Sequence, residues 1–526
     1  MLNVTRQFLS VVFLVAAVGV SQAAAETVLD LLEFEVEGNT VLTTLDIERA
    51  LYPHLGQGKR MADLERARAA LETAYQDAGY LSVTVIVPEQ KVADGLIRLQ
   101  VLEGNVEKLK VSGNRYYSRE EIRAQAPSLA PGEVPHFPSV QKELADLSAS
   151  SDRRVTPLLR PGRQPGKLEV ELAVEDGLPL HGQVELNNKQ SPDTSTYRIE
   201  AGLRYENLFQ KRHSIGLNYV VSPEQPDEVS VLSASYTLPL SPTRSLAFSL
   251  MNSNSNIASA ADSTVVGKGN IYGLRFIQQL PAPVGSTAMF HSLALGVDYK
   301  DLGETQNVLG ADQKVAPLRY FPFMAQYTLG SYGNEGEVLG NLYAVAGLRG
   351  DARIIDCQGI SLDQFECRRA GARENFAILR GDFTYTRRLG GWEGQLRLDA
   401  QAASQPLVSN EQFLAGGTDS VRGYYEGEAA GDFGWRYRAE IRTPSIVDAE
   451  NTTLRAVGFV EGATLRLHDP LPGQTSEFHL ASAGFGLRLT ARKSFNLNVD
   501  LATALRAGPR TERGDRRAHV RLGYQF

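Results

Sequence analysis

Trp435-Arg436-Tyr437-Arg438-Ala439-Glu440-Ile441-Arg442 reads with a period of two. Trp435, Tyr437, Ala439 and Ile441 fall on one face of an extended chain. Arg436, Arg438, Glu440 and Arg442 fall on the other, because successive side chains of a strand point to opposite sides. An apolar face backed by a charged one suits a wall between lipid and a wet lumen. A soluble sandwich also alternates, but it has no use for so many Arg and Asp side chains in succession. The pattern recurs in Phe495 to Leu501, where Phe495, Leu497, Val499 and Leu501 oppose Asn496, Asn498 and Asp500, and in Gln395 to Gln401 and Arg380 to Thr386.

Working outward, such segments fill residues 181–526. About sixteen can be counted, near the even number expected of bacterial barrels. Short connections at Ser241-Pro242, Gly390-Gly391 and Ala491 to Lys493 alternate with long ones at Asn254 to Val266, Asp351 to Arg373, Gln405 to Gly431 and Gly462 to Phe478. Short turns belong on the periplasmic side and long loops outside. At the carboxy terminus Val520, Leu522, Tyr524 and Phe526 alternate up to a final aromatic, which resembles the signal read by the barrel-insertion machinery. The expected fold is a transmembrane antiparallel β-barrel of about 16 strands.

The bulk composition fits that reading without announcing it. With 42% hydrophobic and 22% charged residues, the 526-residue chain looks soluble. After the amino terminus no stretch approaches the ~20 apolar residues of a spanning helix, and barrel strands give no hydropathy peak. The net charge of −7 leaves no basic surplus for nucleic acid. Arg6, the apolar run Phe8 to Val20 and Ala23-Ala24-Ala25 read as a signal peptide over residues 1–25, cut before Glu26. In the oxidising compartment this implies, Cys357 and Cys367 are expected to pair and staple an external loop. Two thiols with no histidine nearby give no metal site.

Residues 32–177 have another texture. Leu32 to Val36 reads as a strand ended by Gly38-Asn39, and Thr44 starts a short helix. Ala62 to Ala78 carries Leu64, Ala67, Leu71, Ala74, Tyr75 and Ala78 at helical spacing, with Gly79 as its stop. Strands Leu81 to Val87 and Leu96 to Leu102 follow. The order then repeats: Val106 to Val111 ends at Gly113-Asn114, Ser118 to Glu121 reads as a capping box, Ser139 to Ser148 as a helix, and Arg154 to Leu159 and Leu168 to Val174 as strands. A repeat of ~70 residues gives two β-α-α-β-β domains, 32–103 and 104–177, ahead of the barrel at 181–526.

On these residues the chain resembles a known family. Phe34-Glu35-Val36-Glu37-Gly38-Asn39-Thr40 and Val87 to Gly95 resemble the polypeptide-transport-associated (POTRA) domain of TpsB transporters of two-partner secretion, the haemolysin and filamentous haemagglutinin type. Glu185-Leu186-Asn187-Asn188, Tyr205 to Phe209 and Val421-Arg422-Gly423-Tyr424 are similar to that family's barrel and lid-loop motifs. The lid-loop motif falls between the eleventh and twelfth segments, within residues 405–431. The resemblance implies two periplasmic POTRA domains, localisation in the outer membrane of a Gram-negative cell, and secretion of a large TpsA-type exoprotein. That partner arrives unfolded, with neither ATP nor a proton gradient used. Barrel assembly machinery and periplasmic chaperones would serve biogenesis, and outer-membrane lipid would surround the barrel.

The resemblance also implies roles for residues. Arg422 is expected to reach into the lumen and pair with an acid on an inner strand. Phe459-Val460-Glu461-Gly462 stands where the family has Phe-x-Asp, so Glu461 is the expected partner, with Phe459 and Gly462 beside it. The edge formed by Leu81, Val83, Val85 and Val87, with the helix before it, is the candidate docking edge for an extended chain. Some family members carry an amino-terminal plug helix. Only about six residues lie between Glu26 and Leu32, so the lid loop is expected to limit leakage instead. No G-x-S-x-G, H-E-x-x-H or G-x-x-x-x-G-K-[ST] motif is present, so neither an enzyme nor a cofactor is expected. A barrel-assembly factor of the same superfamily and a passive porin are the competing readings.

Overall fold

The computed structural model describes residues 28–526 except 92–93, 256–257, 261–262, 266–267, 283–288, 304, 309–310, 315–316, 349–353, 358 and 450. The expected signal peptide, residues 1–25, lies outside them. The chain divides into two compact units between Leu178 and Pro179.

The first unit holds two small mixed sheets. In the first, β2 (Glu33–Glu37) runs parallel to β5 (Leu96–Glu103), which pairs antiparallel with β4 (Val83–Ile86). Helices α1 (Thr44–Leu51) and α2 (Met61–Asp77) lie between β2 and β4 in sequence. β1 (Val28–Leu31) pairs with β3 (Gly56–Arg60), so the first strand starts earlier than expected and breaks at Leu32. There the N–H groups of Leu32 and Glu33 turn to the carbonyl of Gly95. In the second sheet, β6 (Val106–Ser112) runs parallel to β8 (Leu168–Asp176), which pairs with β7 (Arg153–Pro161). α3 (Arg119–Ala124) and α4 (Phe137–Leu147) belong to this half. Leu64, Ala67, Leu71 and Tyr75 on α2 are buried against Val83, Val85, Ile97 and Leu99. The Tyr75 hydroxyl donates to Asn39 Oδ1 at 2.7 Å, and its burial pushes it well above the ordinary phenol range.

The repeat is physical as well as topological. Gly38 and Gly113 both adopt positive φ, +85° and +82°, and a Cβ at either would strike a backbone carbonyl, Val101 O or Val174 O. The asparagine after each turns its amide to a carbonyl three residues on, Asn39 to Leu42 and Asn114 to Tyr117. A carboxylate at the end of the central strand then caps the turn. Glu103 accepts from the N–H groups of Thr40 and Val41, and Asp176 from those of Arg115, Tyr116 and Tyr117.

The second unit is a closed antiparallel barrel of sixteen strands. They are β9 (Leu180–Asn187), β10 (Arg198–Leu208), β11 (His213–Val221), β12 (Ser230–Ser241), β13 (Arg244–Asn254), β14 (Gly269–Leu280), β15 (Met289–Leu302), β16 (Leu318–Tyr320 continued by Pro322–Gly333), β17 (Gly336–Gly347), β18 (Ala377–Leu389), β19 (Trp392–Ala403), β20 (Phe433–Arg442 continued by Val447–Ala449), β21 (Thr452–Arg466), β22 (Glu477–Ala491), β23 (Phe495–Ala504) and β24 (Arg516–Gln525). β16 is interrupted at Phe321, just before Pro322, which has no N–H to give a ladder. β24 closes the barrel on β9 over Arg521–Gln525, and Phe526 exchanges two backbone bonds with Gly182.

Trp435, Ile441, Phe495 and Leu501 face outward and are exposed, whereas Glu440 and Asp500 on the alternate positions are buried inside. Val520, Leu522, Tyr524 and Phe526 also lie on the outer face. β21 continues through Gly462 to Arg466, five residues beyond the expected strand end. It does so because Ala463 and Leu465 face inward and pack on a loop held inside the barrel. Among the described residues no helix is long and apolar enough to cross a membrane.

Because the equivalent turns of the two sheets need a residue without a Cβ, Gly38→Ala and Gly113→Ala are each expected to lower stability by roughly 1–3 kcal/mol. Protease resistance of the amino-terminal unit in the full-length protein reports it. Resistance equal to the unaltered chain in both variants contradicts the account.

Candidate functional site

The loop joining β19 to β20, residues 404–432, does not leave the barrel. It makes a short helical turn at Ser409–Glu411 and a small hairpin, Phe413–Ala415 with Ala429–Gly431. The hairpin presents a tip whose Val421 and Tyr424 are fully buried with Ala463, Leu465, Leu480 and Ala504 of the inner wall. Gly416, Gly417 and Gly423 all have positive φ, which lets the tip fold back on itself.

Arg422, between those two anchors, is 2% exposed. Its Nε and Nη2 donate to Glu461 Oε1 at 2.9 and 2.6 Å, and its own backbone N–H donates to Glu461 Oε2 at 2.6 Å. Nη2 also reaches Glu440 Oε1 at 2.5 Å, and Nη1 lies 3.2 Å from Asp500 Oδ2. The guanidinium carbon sits 3.4 Å from the centre of the Phe459 ring. Three carboxylates from three strands, β20, β21 and β23, therefore converge on one cation. They are shared outward with Arg438 on Glu461, Arg442 on Glu440 and Arg488 on Asp500. Every charge has an opposite neighbour, which is what burial of this many ions requires.

Neighbouring residues hold the rest of the tip. The N–H of Gly423 donates to His519 Nε2 at 2.9 Å, leaving Nδ1 to meet the hydroxyl of Thr418 at 3.3 Å. The Tyr424 hydroxyl lies 2.9 Å from Ala481 O and 2.7 Å from Arg506 O. Glu428 accepts from the N–H groups of Arg510 and Thr511. The loop borders two polar cavities. One of about 1320 Å³ is lined by Asn218, Ser235, Arg275, Asp298, Arg380 and Asp399 among others. The second, about 450 Å³, is lined by Arg438, Arg442, Arg455, Arg488 and Asp500 around Arg422.

The expected site residues fall as follows. Arg422 meets Glu461 and lies on Phe459. Gly462 does not line the lumen: it occupies the alternate, outer face of β21, where a Cβ would strike the ring of Tyr437. Glu440 and Asp500 were legible as lumen-facing, but nothing in the sequence brings them to Arg422, because that takes the register across three strands. Cys357 and Cys367 form the disulfide. In the first unit the expected edge is shorter than read, since only Val83–Ile86 is strand. Leu81 is an exposed turn residue and Val87 lies beyond the strand. Val83 and Val85 turn their side chains into the core. β4 is nevertheless an edge strand. Near the middle of that edge Arg68 Nη1 donates to Val85 O at 3.1 Å, and Glu72 accepts from Val85 N at 3.4 Å.

The family profile described as POTRA domain, ShlB-type, matches residues 29–104. The profile described as haemolysin secretion/activation protein ShlB/FhaC/HecB matches residues 351–489, from the disulfide loop through the lid loop to β22. The chain is 24% identical to the outer membrane transporter CdiB of Dickeya dadantii over 177 residues, 34% of this chain and 31% of that protein. It is 21% identical to the heme/hemopexin transporter protein HuxB of Haemophilus influenzae over 508 residues, 89% of this chain and 82% of that protein. The solved structure of CdiB from Escherichia coli superposes with a TM-score of 0.65 at 18% identity, covering 96% of this chain and 92% of that one.

Removing the Arg422 side chain leaves three carboxylates facing one another. Arg422→Ala is expected to cost about 3–5 kcal/mol. It would lower the temperature at which the barrel loses its compact mobility on detergent gels. An unshifted transition contradicts the buried network.

Proposed function

We infer that this chain, which belongs to the TpsB family of outer-membrane transporters, takes up an unfolded exoprotein from the periplasm and passes it through its barrel to the outside. The observation that carries the reading is the lid loop, drawn into the lumen and held there by Arg422 against Glu440, Glu461 and Asp500. A passive porin has no use for a loop fastened across its lumen by a buried cation. A conduit for polypeptide does, because it must stay shut to small solutes until cargo arrives. No nucleotide or ion gradient enters. Capture by hydrogen bonds and folding of the cargo outside supply direction.

The amino-terminal unit serves as the docking platform. An extended chain adds to the edge of β4 by backbone hydrogen bonds, which demand little of its sequence. Arg68 and Glu72 occupy the Val85 groups of that edge in the resting protein, which guards it against indiscriminate pairing. Cargo exchanges with them. Val520, Leu522, Tyr524 and Phe526 act as the address read by the barrel assembly machinery, with periplasmic chaperones escorting the chain, and the outer face beds in outer-membrane lipid.

Co-expression with an exoprotein encoded beside this gene tests the reading. The cargo is expected in the medium with the unaltered transporter and absent with Arg422→Ala, at equal barrel insertion. Normal export by that variant sinks the lid assignment. A photo-crosslinker at Ile86, exposed on the β4 edge, is expected to trap cargo in transit. Capture confined to β7 positions such as Leu158 would move docking to the second sheet.

A further inference from the structure

The lid loop has a second fastening that the tip does not explain. Asp432, the last residue before β20, is fully buried. Its carboxylate takes both arms of Arg369, Nη1 on Oδ1 at 2.5 Å and Nη2 on Oδ2 at 2.6 Å. It also accepts from the N–H of Leu407 at 3.0 Å, the side chain of Gln412 at 3.3 Å and the N–H of His468 at 2.6 Å. Arg369 in turn donates to Leu407 O at 2.7 Å and His468 O at 3.1 Å. Leu407 lies near the start of the lid loop and Asp432 at its end, so this one pair ties the two roots of the loop together. It also ties them to the connection between β21 and β22.

Arg369 comes from elsewhere. It belongs to the loop joining β17 to β18, in which Cys357–Cys367 is bridged and α5 (Gln364–Arg368) forms. Arg369 ends that helix, its N–H bonded to Phe365 O at 2.9 Å. Phe365 itself is buried with Leu407 and Val408 of the lid loop, beside Tyr320 and Phe376. The stapled helix thus presents a charge and an aromatic ring to the same root. A planar guanidinium matches a carboxylate fork in a way an ammonium does not.

We propose that Arg369 is a positioning residue for the lid: the disulfide-stapled external loop grips the lid's roots through the Arg369–Asp432 fork, so that the lid swings as a flap about a fixed base. This rests on the reading of residues 404–432 as the moving gate. In it, the tip at Arg422 releases during transport while the base at Asp432 stays closed. Losing the base removes one of the loop's two charged fastenings, so the loop leaves the lumen more often even with the tip residues intact.

The test is channel recording on the purified full-length protein in planar bilayers, with no cargo present. Arg369→Ala and Asp432→Asn are expected to raise the open probability at least about tenfold, the factor that about 1.4 kcal/mol of lost anchoring produces. Their mobility on detergent gels stays that of the folded barrel. Arg513→Ala, at an exposed arginine of a different external loop, is expected to leave it unchanged. Open probabilities equal to the unaltered protein in both variants overturn the proposal. If Arg369→Ala fails to insert, Arg369→Lys keeps the charge without the fork. A raised open probability then supports the proposal and an unchanged one overturns it. Because no exoprotein is used, the clamp and the secretion reading fail separately: a chain that exports nothing but gates through Arg369 refutes only the latter.

Discussion

A guanidinium buried among three carboxylates, each of which it shares with one arginine of the wall, organises this molecule. Arg422 is attached to a loop, and Glu440, Glu461 and Asp500 to three strands of the wall. Ion pairs in open water are worth little. Here the loop hairpin, Phe459 and the flanking arginines exclude solvent from one another, and the contact becomes expensive to break without a substitute. That is the property a gate needs. On the proposed reading the gate is closed by default, by an interaction that a passing chain can replace but small solutes cannot.

The pleat of the barrel makes this possible. Strict alternation puts lipid-facing side chains outside and leaves every second position for charge. Adjacent strands then stack those positions into rows. Arg438 lies opposite Glu461 in the β20–β21 ladder and Arg488 lies near Asp500 across β22–β23. The network around the lid is thus a local thickening of a charged wall that the fold already has. Outside, the buried pair of Arg369 and Asp432 closes the base of the same loop. The lid is held at both ends by charge and along its middle by packing.

The alternation in Trp435 to Arg442 carries the barrel in plain view, since every residue reports its own face. The lid motif's place between the eleventh and twelfth strands was legible by counting. What the sequence could not show is convergence. Glu440 and Asp500 are 60 residues apart, and only the closed register brings both to Arg422. Gly462 was misplaced for the complementary reason: one step along a strand exchanges lumen for lipid, and a motif read as a block ignores that step. In the first unit the Gly-Asn pairs revealed the repeat, while the caps from Glu103 and Asp176, 59 to 63 residues from the N–H groups they cap, did not. The β4 edge was drawn too long because Leu81 continues the apolar alternation although the chain is still turning there.

The most direct measurement concerns Val421, which is fully buried at the tip of the lid. The native cysteines are disulfide-bonded, so Val421→Cys supplies a single free thiol. The account predicts that this thiol resists a soluble maleimide in the resting transporter. It predicts fast labelling when Arg422→Ala is added, and also while exoprotein is crossing. Labelling of the resting transporter as fast as that of the Arg422→Ala form would contradict a lid held shut by Arg422.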